Sequence, residues 1–284
     1  MTDTTTLSAP AGSTERPIIE HWVAGGPWSG ASERSGPVFD PATGEVQKLV
    51  RFAAPGDVDH AVRVAREAAE TWRDASIAKR QQVLFAFRQI VHTRRDELAR
   101  ILTSEHGKVL SDAHGEIARG LEVVEFACGL GHHTKGAYSE NASSGIDVYS
   151  LRQPLGVVAV ISPFNFPAMV PMWFFSIAIA TGNAVILKPS EKDPSAANWL
   201  AAAWAEAGLP AGVFTVLHGD KTAVDGLLEH PDIPAVSFVG STPIARYVYE
   251  TGTRHGKRVQ ALGGAKNHML VLPDADLDLA ADAA

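Results

Sequence analysis

From Gln153 to Leu187 the chain carries no charged side chain, and this run limits the possible folds more than any other feature. About 20 consecutive apolar residues span a bilayer, so a membrane-crossing reading must be met first. It fails on the interruptions. Pro163, Asn165, Pro167, Pro171, Thr181, Gly182 and Asn183 cut the run into pieces that suit buried strands joined by a buried helix. No membrane association is expected.

The residues downstream repeat that pattern. Leu155–Ile161, Ala184–Leu187, Val213–Leu217 and Ala235–Val239 read as apolar strands, while Pro167–Ala180, Pro194–Ala207, Lys221–Glu229 and Pro243–Gly252 read as helices. Strands separated by helices need crossover connections, so they predict an α/β fold with a parallel sheet covered on both faces. Ligands of such sheets bind beyond the carboxyl ends of the strands. The loops after Ile161, Leu187, Leu217 and Val239 are therefore where chemistry is expected.

Upstream, Pro55–Trp72, Ile77–Thr103 and Ser111–Leu130 show the spacing of amphipathic helices. His21–Val46 is dense in Gly and Pro and suits short strands and hairpins, and Ile146–Leu151 alternates as a strand outside the main sheet. Residues 1–17 read as a flexible tail without the basic start and apolar core of a secretory signal. A cytoplasmic location is expected. The balance of 25 Lys and Arg against 32 Asp and Glu gives a net charge of −7, without a basic tract. No nucleic-acid partner is expected, because such surfaces work by neutralising phosphates.

Three loops carry the candidate chemistry. Prolines on both sides of Asn165 could hold its amide toward a developing negative charge, although an Asn here also suits a helix cap. Lys188 and Glu191 leave a strand end, where they could bond sugar hydroxyls or form an ordinary solvated ion pair. Gly240-Ser241-Thr242-Pro243 opens a helix whose free N–H groups favour a phosphate, but it lacks the second and third glycines of a dinucleotide fingerprint. Together the loops favour a dinucleotide site. The histidines show no metal-ligand spacing, so no metal is expected. Cys128, the one thiol, excludes an internal disulfide and reads as a buried small hydrophobe.

In this order, Pro163-Phe164-Asn165-Phe166-Pro167, Thr181-Gly182-Asn183, Lys188-Pro189-Ser190-Glu191, Ala207-Gly208-Leu209-Pro210, Phe238-Val239-Gly240-Ser241 and Leu262-Gly263-Gly264 resemble the aldehyde dehydrogenase superfamily from about His21 onward. Gly263-Gly264-Ala265-Lys266-Asn267-His268 is similar to its CoA-acylating methylmalonate-semialdehyde branch. The resemblance implies a Rossmann-like sheet with flanking helices, truncated before most of the catalytic domain. It divides the chain into an NAD-binding domain (18–133 and 155–255), oligomerisation strands (134–154) and the start of a catalytic domain (256–284).

It also implies the chemistry. A cysteine thiolate attacks a semialdehyde, hydride passes to NAD, and coenzyme A takes the acyl group from the resulting thioester, with decarboxylation of the malonate-type substrate. Asn165 becomes an oxyanion donor. Ser162, Phe164, Lys188, Glu191, Lys192, Ser241 and Gly263 become cofactor contacts, with Glu191 favouring NAD over NADP. Arg119 becomes the partner of the substrate carboxylate, with Phe166 and Trp173 as apolar tunnel walls. Arg119 could equally pair with Glu116 or Glu122 on a surface helix, and the two aromatics could be core.

Two departures from the family pattern matter. The water-activating Glu of hydrolytic relatives is Ala261 here, which favours transfer to CoA. The family's nucleophilic Cys is expected beyond Ala284, so these 284 residues alone are expected to be inactive. A homodimer or homotetramer, formed by pairing strands such as Ile146–Leu151, is expected of the complete protein. A hydrolytic semialdehyde or betaine-type dehydrogenase and a non-catalytic NAD-binding protein remain the alternatives.

Overall fold

The structure is a computed structural model and describes residues 16–284. The expected flexible tail lies outside the described residues except for its last two positions. Five short strands come first: β1 (Ile18–Ile19), β2 (His21–Val23), β3 (Gly26–Trp28), β4 (Ser35–Phe39) and β5 (Val46–Arg51). Helices α1 (Pro55–Arg73), α2 (Ile77–Thr93), α3 (Arg95–His106) and α4 (Leu110–Cys128) lead to a separate hairpin of β6 (Tyr138–Ser143) and β7 (Ile146–Tyr149). The alternating half follows as β8 (Val157–Ile161), α5 (Met169–Ala180), β9 (Ala184–Lys188), α6 (Ser195–Glu206), β10 (Phe214–Val216), α7 (Lys221–Glu229), β11 (Ala235–Val239), α8 (Thr242–Arg254) and β12 (Arg258–Leu262). Helix α9 (Leu277–Ala283) comes last.

The main sheet runs β12-β11-β8-β9-β10-β2-β3, with its first five strands parallel and the β2–β3 edge antiparallel. Winding goes from β8 out through β9 to β10, then returns to the opposite flank of β8 to place β11. The direction therefore reverses between β8 and β11. At such a reversal the two connections leave on opposite faces and a crevice opens beyond the strand ends.

Helices cover both faces. On one face Phe87 stacks on Trp204 at 3.7 Å, and the Phe175 ring meets Trp204 edge-on at 5.6 Å. Aromatic pairs of this kind add about 0.5–1.5 kcal/mol beyond their burial. On the other face Val58, Ala61 and Val62 of α1, Leu227 of α7 and Val248 of α8 are buried against the same sheet. The uncharged run becomes β8, α5 and β9, the buried centre of the molecule.

Asn183 ties that centre together. Its Oδ1 accepts from Leu155 N at 2.7 Å and Gly156 N at 3.1 Å, and its Nδ2 donates to Ala178 O at 3.1 Å and Thr181 Oγ1 at 2.9 Å. One side chain thus links the end of α5 to the entry of β8. Gly182 makes the preceding turn at φ +91°, where a Cβ would also lie 2.1 Å from Arg80 Nη1.

One expectation needs correction. The helix expected over Ile77–Thr103 is two helices meeting at Arg94, whose backbone leaves the helical region at φ −105°, ψ 22°. The Arg94 guanidinium there bonds both Glu97 and Glu206, a tertiary contact that no local signal announces. β12 borders the sheet, pairing in parallel with β11 from Arg258 to Leu262.

Candidate active site

The loop leaving β8 is anchored from behind by two buried charges. Lys108 Nζ lies 2.7 Å from Glu116 Oε2, donates to the Asn165 carbonyl at 3.0 Å and sits 4.6 Å above the Phe166 ring. The other Glu116 oxygen accepts from Ala168 N at 2.8 Å and Met169 N at 3.0 Å. Those N–H groups open α5, so the carboxylate occupies the positive end of the helix dipole. Asn165 itself is exposed, on the same loop as Ser162. Ser162 is buried at the end of β8, and its Oγ has no hydrogen-bond partner among the described residues. Buried hydroxyls are ordinarily paired, so this one fits a ligand atom at the switch point.

Beyond β9, Lys188 is buried and its Nζ pairs with Glu191 Oε2 at 3.1 Å. Burial opposes the Glu191 charge, but the Lys188 ammonium, hydrogen bonds and Lys192 outweigh it and hold the carboxyl below its ordinary range. Lys192 Nζ lies 4.4 Å over the Phe164 ring. Phe164, Glu191 and Lys192 line a cleft of about 460 Å³ together with Phe39 and Asp193. Asp193 is 2% exposed, and neither of its oxygens has a partner among the described residues. Burial, reinforced by repulsion from Glu105 and Glu116 against attraction to Lys108, pushes its pKa up to about 8.

Beyond β11, Ser241 precedes the first turn of α8 without a side-chain cap, leaving the helix N–H groups open. Thr242 Oγ1 accepts from Gly264 N at 3.1 Å, and a Cβ at Gly263 would lie 3.2 Å from that oxygen. Gly263 therefore lets the segment after β12 pass close to the start of α8. Ser162, Lys188 and Ser241 stand at the ends of β8, β9 and β11, so three expected cofactor loops share one rim of the sheet.

Other expected residues lie elsewhere. Arg119 is exposed on α4 and pairs with Glu122 at 3.5 Å, not with Glu116, which is sealed against Lys108. Its neighbour Gly120 marks the crossing with α5, where a Cβ would lie 3.3 Å from Met169 Cα. Trp173 is half-buried on α5 and Phe166 half-buried under Lys108. Cys128 is buried, and burial pushes its thiol up to about 11, the behaviour of an inert structural cysteine.

Sequence reading did not single out Lys108, Glu116 or Asp193 as site residues. Glu116 was detectable in principle. It falls on the buried stripe of α4 with Ala113, Ile117, Gly120, Leu121 and Val124, a position where a carboxylate needs a partner. Lys108 leaves no such trace, because it sits in the turn between α3 and α4.

The aldehyde dehydrogenase family model matches residues 28–284. A malonate-semialdehyde dehydrogenase of Pseudomonas aeruginosa is 52% identical over 263 residues, 93% of this chain and 53% of the relative. A solved structure from Sinorhizobium meliloti 1021, assigned as a methylmalonate-semialdehyde dehydrogenase complexed with NAD, superposes with a TM-score of 0.92 at 52% identity, covering 95% of this chain and 55% of that one. A methylmalonate-semialdehyde dehydrogenase from Oceanimonas doudoroffii gives 0.90 at 50% identity, over 94% of this chain and 54% of that one. The chain thus spans about half the length of the relatives it matches. On that match and that identity, the chain belongs to the aldehyde dehydrogenase family.

Proposed function

We propose that this chain forms the NAD-binding portion of a CoA-acylating dehydrogenase of malonate or methylmalonate semialdehyde. The observation that carries the reading is the convergence of the Ser162, Lys188–Glu191 and Ser241 loops on the reversal between β8 and β11. Half-identity to semialdehyde dehydrogenases supports the substrate class. NAD, when bound, supplies the hydride acceptor.

The residues divide the work. Ser162 and Phe164 line the cofactor cleft, Lys188 and Glu191 bond the adenosine ribose, and Lys192, Ser241 and Gly263 complete the contacts. The Glu191 carboxylate repels a 2′-phosphate, which favours NAD over NADP. The Asn165 amide donates to the oxygen that becomes negative when a thiolate adds to the aldehyde. One such donor is worth about 10²–10³ in rate. With Cys128 sealed and its thiol raised, the attacking thiol comes from outside these 284 residues.

Arg119 is the cation proposed for the substrate carboxylate. Its exposed pair with Glu122 is of a weak kind and easily exchanged for a better partner. Phe166 and Trp173 supply apolar walls. Position 261 offers only a methyl group where a carboxylate could activate water, so the acyl group passes to the thiol of coenzyme A, with decarboxylation. The exposed Tyr138, Ile146, Val148 and Tyr149 of the β6–β7 hairpin suit pairing into a dimer or tetramer of a cytoplasmic enzyme.

Calorimetric titration of the chain with NAD and NADP tests the cofactor reading. Saturable binding that prefers NAD is expected, and no binding of either would overturn it. For the chemistry, a polypeptide of the relatives' length is expected to form acyl-CoA. Free acid released equally fast without CoA would refute acylation.

A further inference from the structure

We infer that Lys108 and Glu116 are positioning residues for the loop after β8, fixing the direction in which the Asn165 amide meets a substrate oxygen. The inference rests on the oxyanion role proposed above for Asn165. The loop from Ser162 to Ala168 carries two prolines and therefore few N–H groups of its own to hold it. Two fixed points come from the turn between α3 and α4 and from α4 itself. Lys108 Nζ donates to the Asn165 carbonyl at 3.0 Å and lies 4.6 Å above the ring of the next residue, Phe166. Glu116 holds Lys108 at 2.7 Å and binds the N–H groups of Ala168 and Met169 at 2.8 and 3.0 Å. Asn165 and its following helix are thus gripped on both sides by a single ion pair.

The pair suits this task because it is dry. The Lys108 and Glu116 side chains are 4% and 0% exposed, so water does not compete for the bonds, and the charge-assisted contacts are short and directional. Gly107 aims Lys108 inward. It closes α3 in the left-handed region at φ +87°, and a Cβ there would lie 2.9 Å from Pro41 Cγ.

NMR on the chain, with the Asn165 carbonyl carbon labelled, tests the inference against a merely structural role. Lys108→Met is expected to move the Asn165 carbonyl resonance upfield, and Lys108→Arg, which keeps the charge and donor, to restore it. Lys108→Met combined with Glu116→Gln leaves no buried charge unpaired, so it reports on the loop if the single variant fails to fold. In that double variant amide exchange at Ala168 and Met169 is expected to quicken by about tenfold. Exchange within β8 should stay as it was. An unmoved carbonyl resonance, or faster exchange spread equally over β8, would overturn the inference. NAD titration of the same samples separates the two readings: a wild-type chain that ignores NAD sinks the proposed function, whereas NAD binding with an unmoved carbonyl sinks only the positioning role.

Discussion

The His218 backbone N–H donates to His21 Nδ1 at 3.0 Å, joining two imidazoles that are both 0% exposed. Their rings stack at 5.8 Å, and His218 Nε2 bonds Asn198 Oδ1 at 2.9 Å. An acceptor Nδ1 requires His21 to be neutral. Burial, partly offset by Asp57 and reinforced by Arg51, lowers the His21 pKa to about 4. Burial also holds His218 well below the ordinary value, with His21 and Lys188 adding to the effect.

Through these two histidines, mild acid should therefore loosen the fold. Below pH 6.5 the unfolded chain takes up protons on these histidines that the folded chain refuses, so their contribution to stability is full above that value and drains away toward pH 4. Each histidine contributes a slope of up to about 1.4 kcal/mol per pH unit. Urea unfolding at pH 7.5, 6 and 5 reads the slope. A wild-type slope no steeper than that of His21→Gln would contradict the assignment.

Asp193 works in the opposite sense. Its pKa rises from 3.8 in the unfolded chain to about 8 in the folded one, so the folded state binds the extra proton and stability falls as pH climbs through that window. Asp193→Asn keeps the shape and removes the titration. The variant should gain at least about 1 kcal/mol at pH 7.5 and little near pH 4. Equal gains at both pH values would show that something other than ionisation is at work.

The sequence made most of this architecture legible because burial and backbone chemistry act locally. The uncharged run and its prolines place β8, α5 and β9, and Ala235–Val239 is a strand with the expected bounds. What stayed hidden depends on partners distant in sequence. Arg94 breaks α2 from α3 through Glu206, with neither Gly nor Pro to mark the break. Arg258–Leu262 alternates between exposed and half-buried positions, a sheet-edge pattern that its neighbouring Gly-Gly motif masks. At the site, Lys188 and Glu191 declare themselves by following a strand. Lys108 and Asp193 acquire meaning only when the α3–α4 turn packs behind the β8 loop.

Asn183 offers a test of the Thr181-Gly182-Asn183 turn as a structural device. In Asn183→Ala the Leu155 and Gly156 N–H groups lose the acceptor that they share. These N–H groups are only partly buried, so the cost lies at the lower end of the roughly 1–3 kcal/mol of an unsatisfied group, and a loss of about 1 kcal/mol or more is expected in urea unfolding. Asn183→Asp, which keeps the acceptor oxygen, should recover part of it. A change within about 0.5 kcal/mol for the alanine variant, the range of ordinary surface substitutions, would remove the residue from that role.

Glu191 tests the cofactor preference directly. Its carboxylate is kept ionised beside Lys188 Nζ at 3.1 Å, within a cleft that it shares with Phe164 and Lys192. If the carboxylate bonds a ribose and repels a 2′-phosphate, Glu191→Gln should weaken NAD binding by about tenfold, the value of one charged hydrogen bond, while NADP binding holds steady or improves. The discrimination between the two cofactors then narrows from both sides. Lys188→Met tells a ribose contact from a mere ion pair: both affinities should fall, NADP at least as much as NAD, because the ammonium serves the sugar and also attracts a 2′-phosphate beside it. Isothermal titration of both cofactors against the three proteins decides the matter. Parallel losses for NAD and NADP in Glu191→Gln would assign cofactor choice to another residue.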